Sequence, residues 1–470
     1  MRTKEDHYKK ISILISFFAT LMILITIIAS VIALSESQLL VKVSVGCFII
    51  LLFSMLYIYM YFFNRDLFKQ KNKLLLFICI YVIMMIVVVA MNKLPYLLIP
   101  ISIAGMLIAI MIDSRLGIMT NMLLTIVGLL VSGNGIDFFI FYMISGTLSC
   151  LVITKAKRRN KIVFVAGYLS IVNIILVVLI NLYQHGSFVE FNVTDVFYGV
   201  LNAVFSVIIT IGSLPLWETL FDVSTPLKLL ELTNSDQKLI QRLLLEAPGT
   251  YHHSQMVSNL AQTAANDIGA NALLARTGAL YHDIGKLKNP MYFTENQDGV
   301  NPHDELDPVS SAKIIINHVG DGVKLATENH LPKAVRSIIR EHQGDTLVKY
   351  FYFKAKESSD GFDVDEDDFR YAGPKPQTNE AAIIMLADCT EAYIRSLHES
   401  KRTLGNIEKC IEEIINSKFS EGQLSECNLK IKELPVIAGS FMKVYNGLYH
   451  ERVKYPDNKV GGNEVVDNNK

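Results

Sequence analysis

LLARTGALYHDIGKLKNP, residues 273–290, decides how the C-terminal half of this 470-residue chain is read. Apolar residues recur at helical spacing through Leu273, Leu274, Ala275, Ala279 and Leu280, so a helix is expected over 271–284. It ends on His282-Asp283, followed by Ile284-Gly285-Lys286. An adjacent imidazole and carboxylate on one helix can offer a nitrogen and a bridging oxygen to two ions. Imidazole and carboxylate together suit borderline divalent metals such as Fe, Mn, Zn or Co. His253 lies 29 residues upstream and Asp388 about a hundred downstream, and both can close a first metal site with the dyad. His318 and His342 can furnish a second. Two metals a few ångströms apart can polarise a phosphodiester and generate a hydroxide nucleophile at neutral pH.

Working outward, the surrounding half is expected to be helical over 252–268, 308–318, 332–342, 379–397 and 405–418. The region Tyr350–Phe353 is the exception, where strand alternation is read. An irregular loop, 356–378, is acidic (Asp360, Asp363, Asp365, Glu366, Asp367, Asp368) and turns on Gly373-Pro374; it reads as a long flap or insertion. A lone helical histidine is more often a core or surface residue than a ligand, and His252, His303, His330, His398 and His450 are read that way.

The N-terminal half has another composition. Eight apolar runs, at about 11–34, 41–63, 74–91, 96–112, 116–132, 138–154, 162–183 and 195–217, approach the roughly 20 residues that a bilayer core takes as helix. The first is too long for a signal peptide, and no small-residue cleavage site clearly follows it. Basic connections (Arg2, Lys4, Lys9 and Lys10; Arg65, Lys69, Lys71 and Lys73; Lys155, Lys157, Arg158, Arg159 and Lys161) alternate with connections carrying only Lys42, Lys93 or nothing. That alternation predicts a multi-pass cell-membrane protein with both termini cytosolic. Asp113 and Asp137 sit at helix ends, and no run carries the buried ion pair or carboxylate–histidine relay of a transporter. Gly105, Gly128, Pro100 and Pro215 read as ordinary helix packing.

Between the halves, the last span is expected to end near Pro215-Leu216-Trp217, with Trp217 at the interface. Thr225 before Pro226 marks one short helix, and Ser235-Asp236 the cap of another that stops before Pro248-Gly249. The domains are thus an N-terminal tail (1–10), a transmembrane region of one plus seven helices (11–218), a helical connector (219–250), a cytosolic helical domain (251–455) and a disordered tail (456–470). Six cysteines without a CxxC pair argue for reduced thiols, and a net charge of −1 gives no sign of a nucleic-acid polymer as partner.

The longer text carries a resemblance. APGTYHHSQMVSNLA (247–261), LLARTGALYHDIGKLKNP (273–290), NPHD (301–304), LVKYFYFKA (347–355), DFRYAGPKPQTNEAAIIMLAD (368–388) and EAYIRS (391–396) resemble the seven-transmembrane HD-domain family, the PgpH-type cyclic-di-AMP phosphodiesterases. His253, His282-Asp283 and Asp388 look like the H…HD…D pattern of HD phosphohydrolases. The resemblance implies an all-α protein: a polytopic membrane bundle followed by an HD domain with a two-metal centre, iron or manganese. It implies hydrolysis of cyclic-di-AMP to the linear dinucleotide by metal-activated water. His253, His282, Asp283 and Asp388 would hold one metal, and Asp283, His318 and His342 the second. Lys286 would lie near the substrate phosphates. His282, Asp283 and Lys286 would be the catalytic residues. A homodimer could form through the cytosolic domain. Two departures stand out. Gln343 occupies the place of a second histidine that would serve the second metal, which opens the alternative of a weakened or inactive domain that binds the cyclic dinucleotide as a membrane-coupled sensor. Only Ser35 to about Leu40 separates the first two runs, where the family usually has a large extracellular domain. An HD enzyme acting on a guanosine alarmone or a dNTP would need only the one-metal set.

Overall fold

In a computed structural model, residues 20–448 are described, apart from 21, 33, 35–36, 156–158, 187–191 and 359–363. The expected N-terminal tail, the start of the first span, Lys157 and Arg158 of the sixth connection, Asp360 and Asp363 of the acidic loop, His450 and the expected disordered tail lie outside the described residues. The chain divides into two compact units, Met1–Leu232 with Pro332–Ala334, and Thr233–Leu331 with Val335–Lys470. The division falls inside the segment read as a connector.

The first unit is a bundle of apolar helices. Its helices are α1 (Met22–Ile32), α2 (Leu39–Phe63), α3 (Lys71–Ala90), α4 (Ser102–Met111), α5 (Ser114–Ser132), α6 (Ile136–Ile153), α7 (Arg159–His185), α8 (Val193–Phe221) and α9 (Pro226–Leu232). Among the described residues six helices are long and apolar enough to cross a membrane: α2, α3, α5, α6, α8 and the Ile162–His185 part of α7. Among the described residues two of the eight expected runs give shorter helices: α1, the expected start of whose run lies outside the described residues, and the Tyr96–Met111 segment. In the latter a 3-10 turn over Tyr96–Leu98 is parted from α4 by Ile99-Pro100. A proline disfavours helical backbone at the residue before it, and Ile99 is extended (φ −72°, ψ 118°). Asp113 caps α5 by accepting from the Arg115 and Leu116 amides at 3.0 and 3.2 Å. The last span does not stop at Pro215. Its helix carries that proline inside and runs to Phe221, where Asp222 turns left-handed (φ 50°). A proline costs one hydrogen bond, yet the helix continues across Pro215, which is itself exposed. Phe62, Phe63, Phe164 and Ile171 remain exposed, as lipid-facing side chains do.

The second unit is also helical. It contains α10 (Lys238–Glu246), α11 (Pro248–Asp267), α12 (Ala272–Tyr281), α13 (Pro308–Glu328), α14 (Lys333–Glu341) from Val335 onward, α15 (Lys349–Ser358), α16 (Asn379–Ser396), α17 (Leu404–Ser420) and α18 (Leu434–Leu448). Its core gathers Val257, Leu260 and Ala264 of α11 with Ile383, Ile384 and Leu386 of α16, Ile411 of α17 and Phe441 of α18. Helix α16 is buried without a break from Ala381 to Asp388, so it runs through the middle of the unit. Three expectations need correction. The strand reading of Tyr350–Phe353 fails: α15 covers it, because Phe351, Tyr352 and Ala355 share a helical face that packs on Ala312 and Phe369. The one β feature among the described residues is an isolated antiparallel bridge between Leu347 and Arg370. The residues before α10 provide no side-chain cap from Ser235 or Asp236; its N-cap is Gln237. Helix α10 stops before Pro248-Gly249 as expected, but the helix expected from 252 begins at Pro248, since a proline at the first helical position loses no intrahelical hydrogen bond.

Candidate metal centre

Five elements of the second unit converge. His253 comes from α11, His282 and Asp283 from the end of α12, His318 from the middle of α13, His342 from the residue after α14, and Asp388 from α16. The dyad does not lie within a helix, as the sequence suggested. His282 is the C-cap of α12, and Asp283 (φ −107°, ψ 15°) leads into a 3-10 turn over Ile284–Lys288. Gly285 explains the bend. A β-carbon on it would lie 1.9 Å from the His318 carbonyl oxygen and 2.5 Å from the Gly322 amide nitrogen. Only a glycine lets this turn press its backbone onto α13.

The six side chains form two clusters that share Asp283. Ligand atoms of His253, His282, Asp283 and Asp388 all lie within 4.8 Å of one another, and so do those of Asp283, His318 and His342. Asp283 Oδ2 is 3.6 Å from His253 Nε2 and 3.3 Å from His282 Nε2. Its Oδ1 is 3.3 Å from His318 Nε2 and 3.6 Å from His342 Nε2. Asp388 Oδ1 completes the first cluster, 3.0 Å from His253 Nε2 and 3.7 Å from His282 Nε2. Ligands about 2.1 Å from a common ion sit about 3.0–3.4 Å apart, close to these separations. All six residues are buried.

The hydrogen bonds fit a metal as well. His282 Nδ1 donates to the Ala279 carbonyl at 2.7 Å, His318 Nδ1 to Ile315 at 2.5 Å, and His342 Nδ1 to Ile339 at 2.8 Å. A proton held at Nδ1 leaves the Nε2 lone pair directed at the cluster. Among the described residues, His253 Nε2, His282 Nε2 and Asp283 Oδ1 are buried with no hydrogen-bond partner. Such groups are costly to bury unless something else satisfies them. Without an ion, burial works against charge on His282 but the adjacent Asp283 and Asp388 carboxylates raise its pKa to about 10, a proton that an ion at Nε2 would displace. Burial likewise opposes ionisation of Asp388 and Asp283, and the surrounding imidazoles, with Lys286 beside Asp283, hold both carboxyls well below the usual range. The donor set of nitrogen and carboxylate oxygen therefore fits a divalent ion at each cluster.

Lys286 and Gln343 also reach the centre. Lys286 Nζ lies 2.7 Å from Asp283 Oδ2 and 2.7 Å from Glu295 Oε1, above the Phe293 ring. Gln343 Nε2 donates to Asp388 Oδ2 at 2.9 Å, so its amide faces the first cluster. An ionised carboxylate only accepts, which fixes the amide nitrogen, rather than the oxygen, toward Asp388. His252, His303, His330 and His398 lie outside both clusters. His303 is buried, with Nε2 on the Tyr292 carbonyl at 2.9 Å. Sequence reasoning missed Glu295, Glu391 and Arg395. Glu391 contacts His253 Nδ1, and Arg395 lies 3.5 Å from Glu391 and 3.7 Å from Glu295. The signal was spacing: Glu391 follows Asp388 by three positions and precedes Arg395 by four, which puts all three along one side of α16.

Two ligand clusters joined by one carboxylate, on a helical unit in a chain that also carries a bundle of bilayer-length helices, define a class: multi-pass membrane proteins with a divalent-metal-binding HD domain. The chain belongs to the seven-transmembrane HD family. Residues 39–225 match the family model described as 7TM receptor with intracellular HD hydrolase, and residues 250–393 match that of the HD domain. The first match begins with α2 and takes in the seven helices α2 to α8. The chain is 37% identical over 425 residues to the cyclic-di-AMP phosphodiesterase PgpH of Listeria monocytogenes, covering 88% of this chain and 58% of that one. It is 37% identical over 441 residues to the cyclic-di-AMP phosphodiesterase PgpH of Bacillus subtilis, covering 90% and 61%. It thus spans about three fifths of the length of these curated relatives. The crystal structure of the L. monocytogenes PgpH HD domain in complex with cyclic-di-AMP is 49% identical to it, covering 46% of this chain and 100% of that one, with a TM-score of 0.44.

Proposed function

We propose that this chain is a membrane-anchored, metal-dependent phosphodiesterase that hydrolyses cyclic-di-AMP to the linear dinucleotide. The observation that carries the reading is the divided use of Asp283, with Oδ2 among the first cluster's ligands and Oδ1 among the second's. His253, His282, Asp283 and Asp388 hold one metal; Asp283, His318 and His342 hold the other, with iron or manganese suited to these donors. When bound, such ions supply Lewis acidity toward a phosphoryl oxygen and lower the pKa of water. The side chains hold the imidazole tautomers, keep both carboxylates ionised, and place the Lys286 charge beside the bridging carboxylate. The choice of a cyclic-di-AMP substrate draws support from the activity named for the two relatives.

The alternative of a silent sensor drew on Gln343. Asp283, His318 and His342 assemble the second cluster without it, and the Gln343 amide serves Asp388 instead. Both features support turnover. The domain plan is retained as part of the proposal: a membrane region to about 218, a connector to about 250 and the HD domain beyond. Both termini face the cytosol, on the alternation of basic connections.

The test is turnover of cyclic-di-AMP by the full-length protein in detergent with Mn²⁺ or Fe²⁺, beside a His282→Ala, Asp283→Ala variant. Linear dinucleotide from wild type and none from the variant is the expected result. Cyclic dinucleotide bound but uncut by metal-loaded wild type would establish the sensor instead, and faster cleavage of another nucleotide in a substrate panel would reassign the substrate.

A further inference from the structure

We propose that Glu391 is the positioning residue for the ligand His253, and that its carboxylate makes the first metal position the tighter of the two. The inference rests on the metal-centre reading above and deepens it.

The four cluster imidazoles are not held alike. His282, His318 and His342 each set Nδ1 on the carbonyl three residues earlier, a neutral acceptor supplied by local backbone. His253 has no such bond. Its Nδ1 meets the Glu391 carboxylate, 138 residues away in sequence. A carboxylate on the far nitrogen orients the ring and makes the metal-facing nitrogen a stronger donor than a carbonyl does. Helix α16 therefore supplies a ligand, Asp388, and one turn later the group that aims another ligand.

Glu391 is itself restrained. It is 8% exposed, so its charge needs a partner, and Arg395 Nε lies 3.5 Å away. Arg395 also reaches Glu295 Oε2 at 3.7 Å, Glu295 Oε1 meets Lys286 at 2.7 Å, and Lys286 returns to Asp283 Oδ2 at 2.7 Å. Four residues of alternating charge thus join ligand His253 to ligand Asp283. Among the described residues the second cluster has no equivalent: the Nδ1 atoms of both its imidazoles rest on backbone carbonyls.

The test is Mn²⁺ binding to full-length protein in detergent, stripped with chelator and titrated at fixed pH, with no nucleotide present. Wild type is expected to bind in a tighter and a weaker class. Glu391→Gln keeps an acceptor for Nδ1 but loses the charge; it should weaken the tighter class by about 10–100-fold and leave the weaker class within about 2-fold. Glu391→Ala should weaken the tighter class at least as much. Arg395→Ala, which frees a partly exposed tether, should weaken it by about 3-fold. His318→Ala should remove the weaker class only. The unfolding midpoint of stripped Glu391→Gln should match that of stripped wild type. Unchanged affinity in Glu391→Gln overturns the inference alone, as does an equal loss in both classes accompanied by a lower midpoint, which marks a merely structural role. A wild type that binds no Mn²⁺ overturns the metal-centre reading together with it.

Discussion

Both units bury polar side chains, and they do so in opposite ways. In the membrane unit the buried groups are neutral, and the buried asparagine amides each donate to a main-chain carbonyl. Asn121 donates to the Tyr142 carbonyl at 2.9 Å, Asn173 to Gly199 at 2.9 Å, and Asn202 to Leu97 and Ile99 at 2.8 and 3.0 Å. These amides bridge helices, and Asn202 fills carbonyls beside the break that Pro100 makes in the Tyr96–Met111 segment. Helices α4 and α5 meet there almost backbone to backbone, for a β-carbon on Gly117 would lie 2.5 Å from the Gly105 carbonyl oxygen. In the soluble unit they include ionisable groups, and among the described residues His253 Nε2, His282 Nε2 and Asp283 Oδ1, gathered at one place, find no hydrogen-bond partner. The first pattern holds a fold together. The second gathers unpartnered ligand atoms at one point, a need that an ion meets; single unpartnered atoms such as Asn121 Oδ1 occur in the membrane unit too, so it is the clustering that says much.

The comparison is broken most severely at the shared carboxylate. Asp283→Ala removes a ligand from each cluster at once, so metal analysis should find both equivalents lost, and turnover should fall by at least about 10³-fold, with helix content unchanged by circular dichroism. Retention of one full metal equivalent would show that the clusters do not depend on a common residue.

Glu295→Gln should give the next largest effect, on stability. Burial opposes ionisation of Glu295, yet its pKa is lowered from 4.5 to about 2, with Lys286 the chief opposing influence. A depressed carboxyl stabilises the fold fully above its unfolded pKa and loses that contribution as pH falls through the folded value. Glu295→Gln should therefore cost about 3 kcal/mol at pH 7 and the same at pH 6, with the cost shrinking between pH 4.5 and 2. Thermal melts of metal-free protein across that range check the sign. A cost that grew with acidity would contradict it.

Gln343→Leu tests the amide on Asp388. It removes one donor from a ligand that keeps its imidazole contacts, so Mn²⁺ affinity should fall about 10-fold. A selective loss from the Asp283–His318–His342 position would instead make Gln343 a second-metal residue.

The smallest effect is expected in the membrane unit. Asn202→Leu should lower stability in detergent by about 1 kcal/mol, the usual worth of an interhelical hydrogen bond in a membrane protein, and leave metal content unchanged.

Sequence reading went furthest where periodicity and chemistry coincide. The helices carrying His253, His318 and Asp388 were legible from apolar spacing, and the ligands were legible because imidazole and carboxylate at those intervals have few other uses. The eight apolar runs were legible from length, but the break at Ile99-Pro100 and the passage of α8 through Pro215 were not. Both prolines sit among apolar residues in the sequence, and nothing in those neighbours distinguishes the break from the continuous helix. Aromatic, β-prone residues drew the strand reading at 350–353, and burial of Phe351 and Tyr352 against α13 overrode that propensity. Helix α18 went unread. Glu295, Glu391 and Arg395 went unread: the spacing of Asp388, Glu391 and Arg395 shows only that they share one side of a helix, not that this side meets His253 and Glu295. Those contacts exist only once the chain is folded.

The contact at Gly285 has a consequence for how the centre meets an ion. Because main chain rests on main chain there, the spacing between Asp283 and His318 is set by parts of the protein that have almost no freedom to adjust. A nest built to fixed dimensions admits occupants by size and preferred geometry, and it surrenders little disorder when one arrives. Loading should thus be quick and selective by fit, and any side chain added at position 285 would blunt that discrimination before it touched a single ligand.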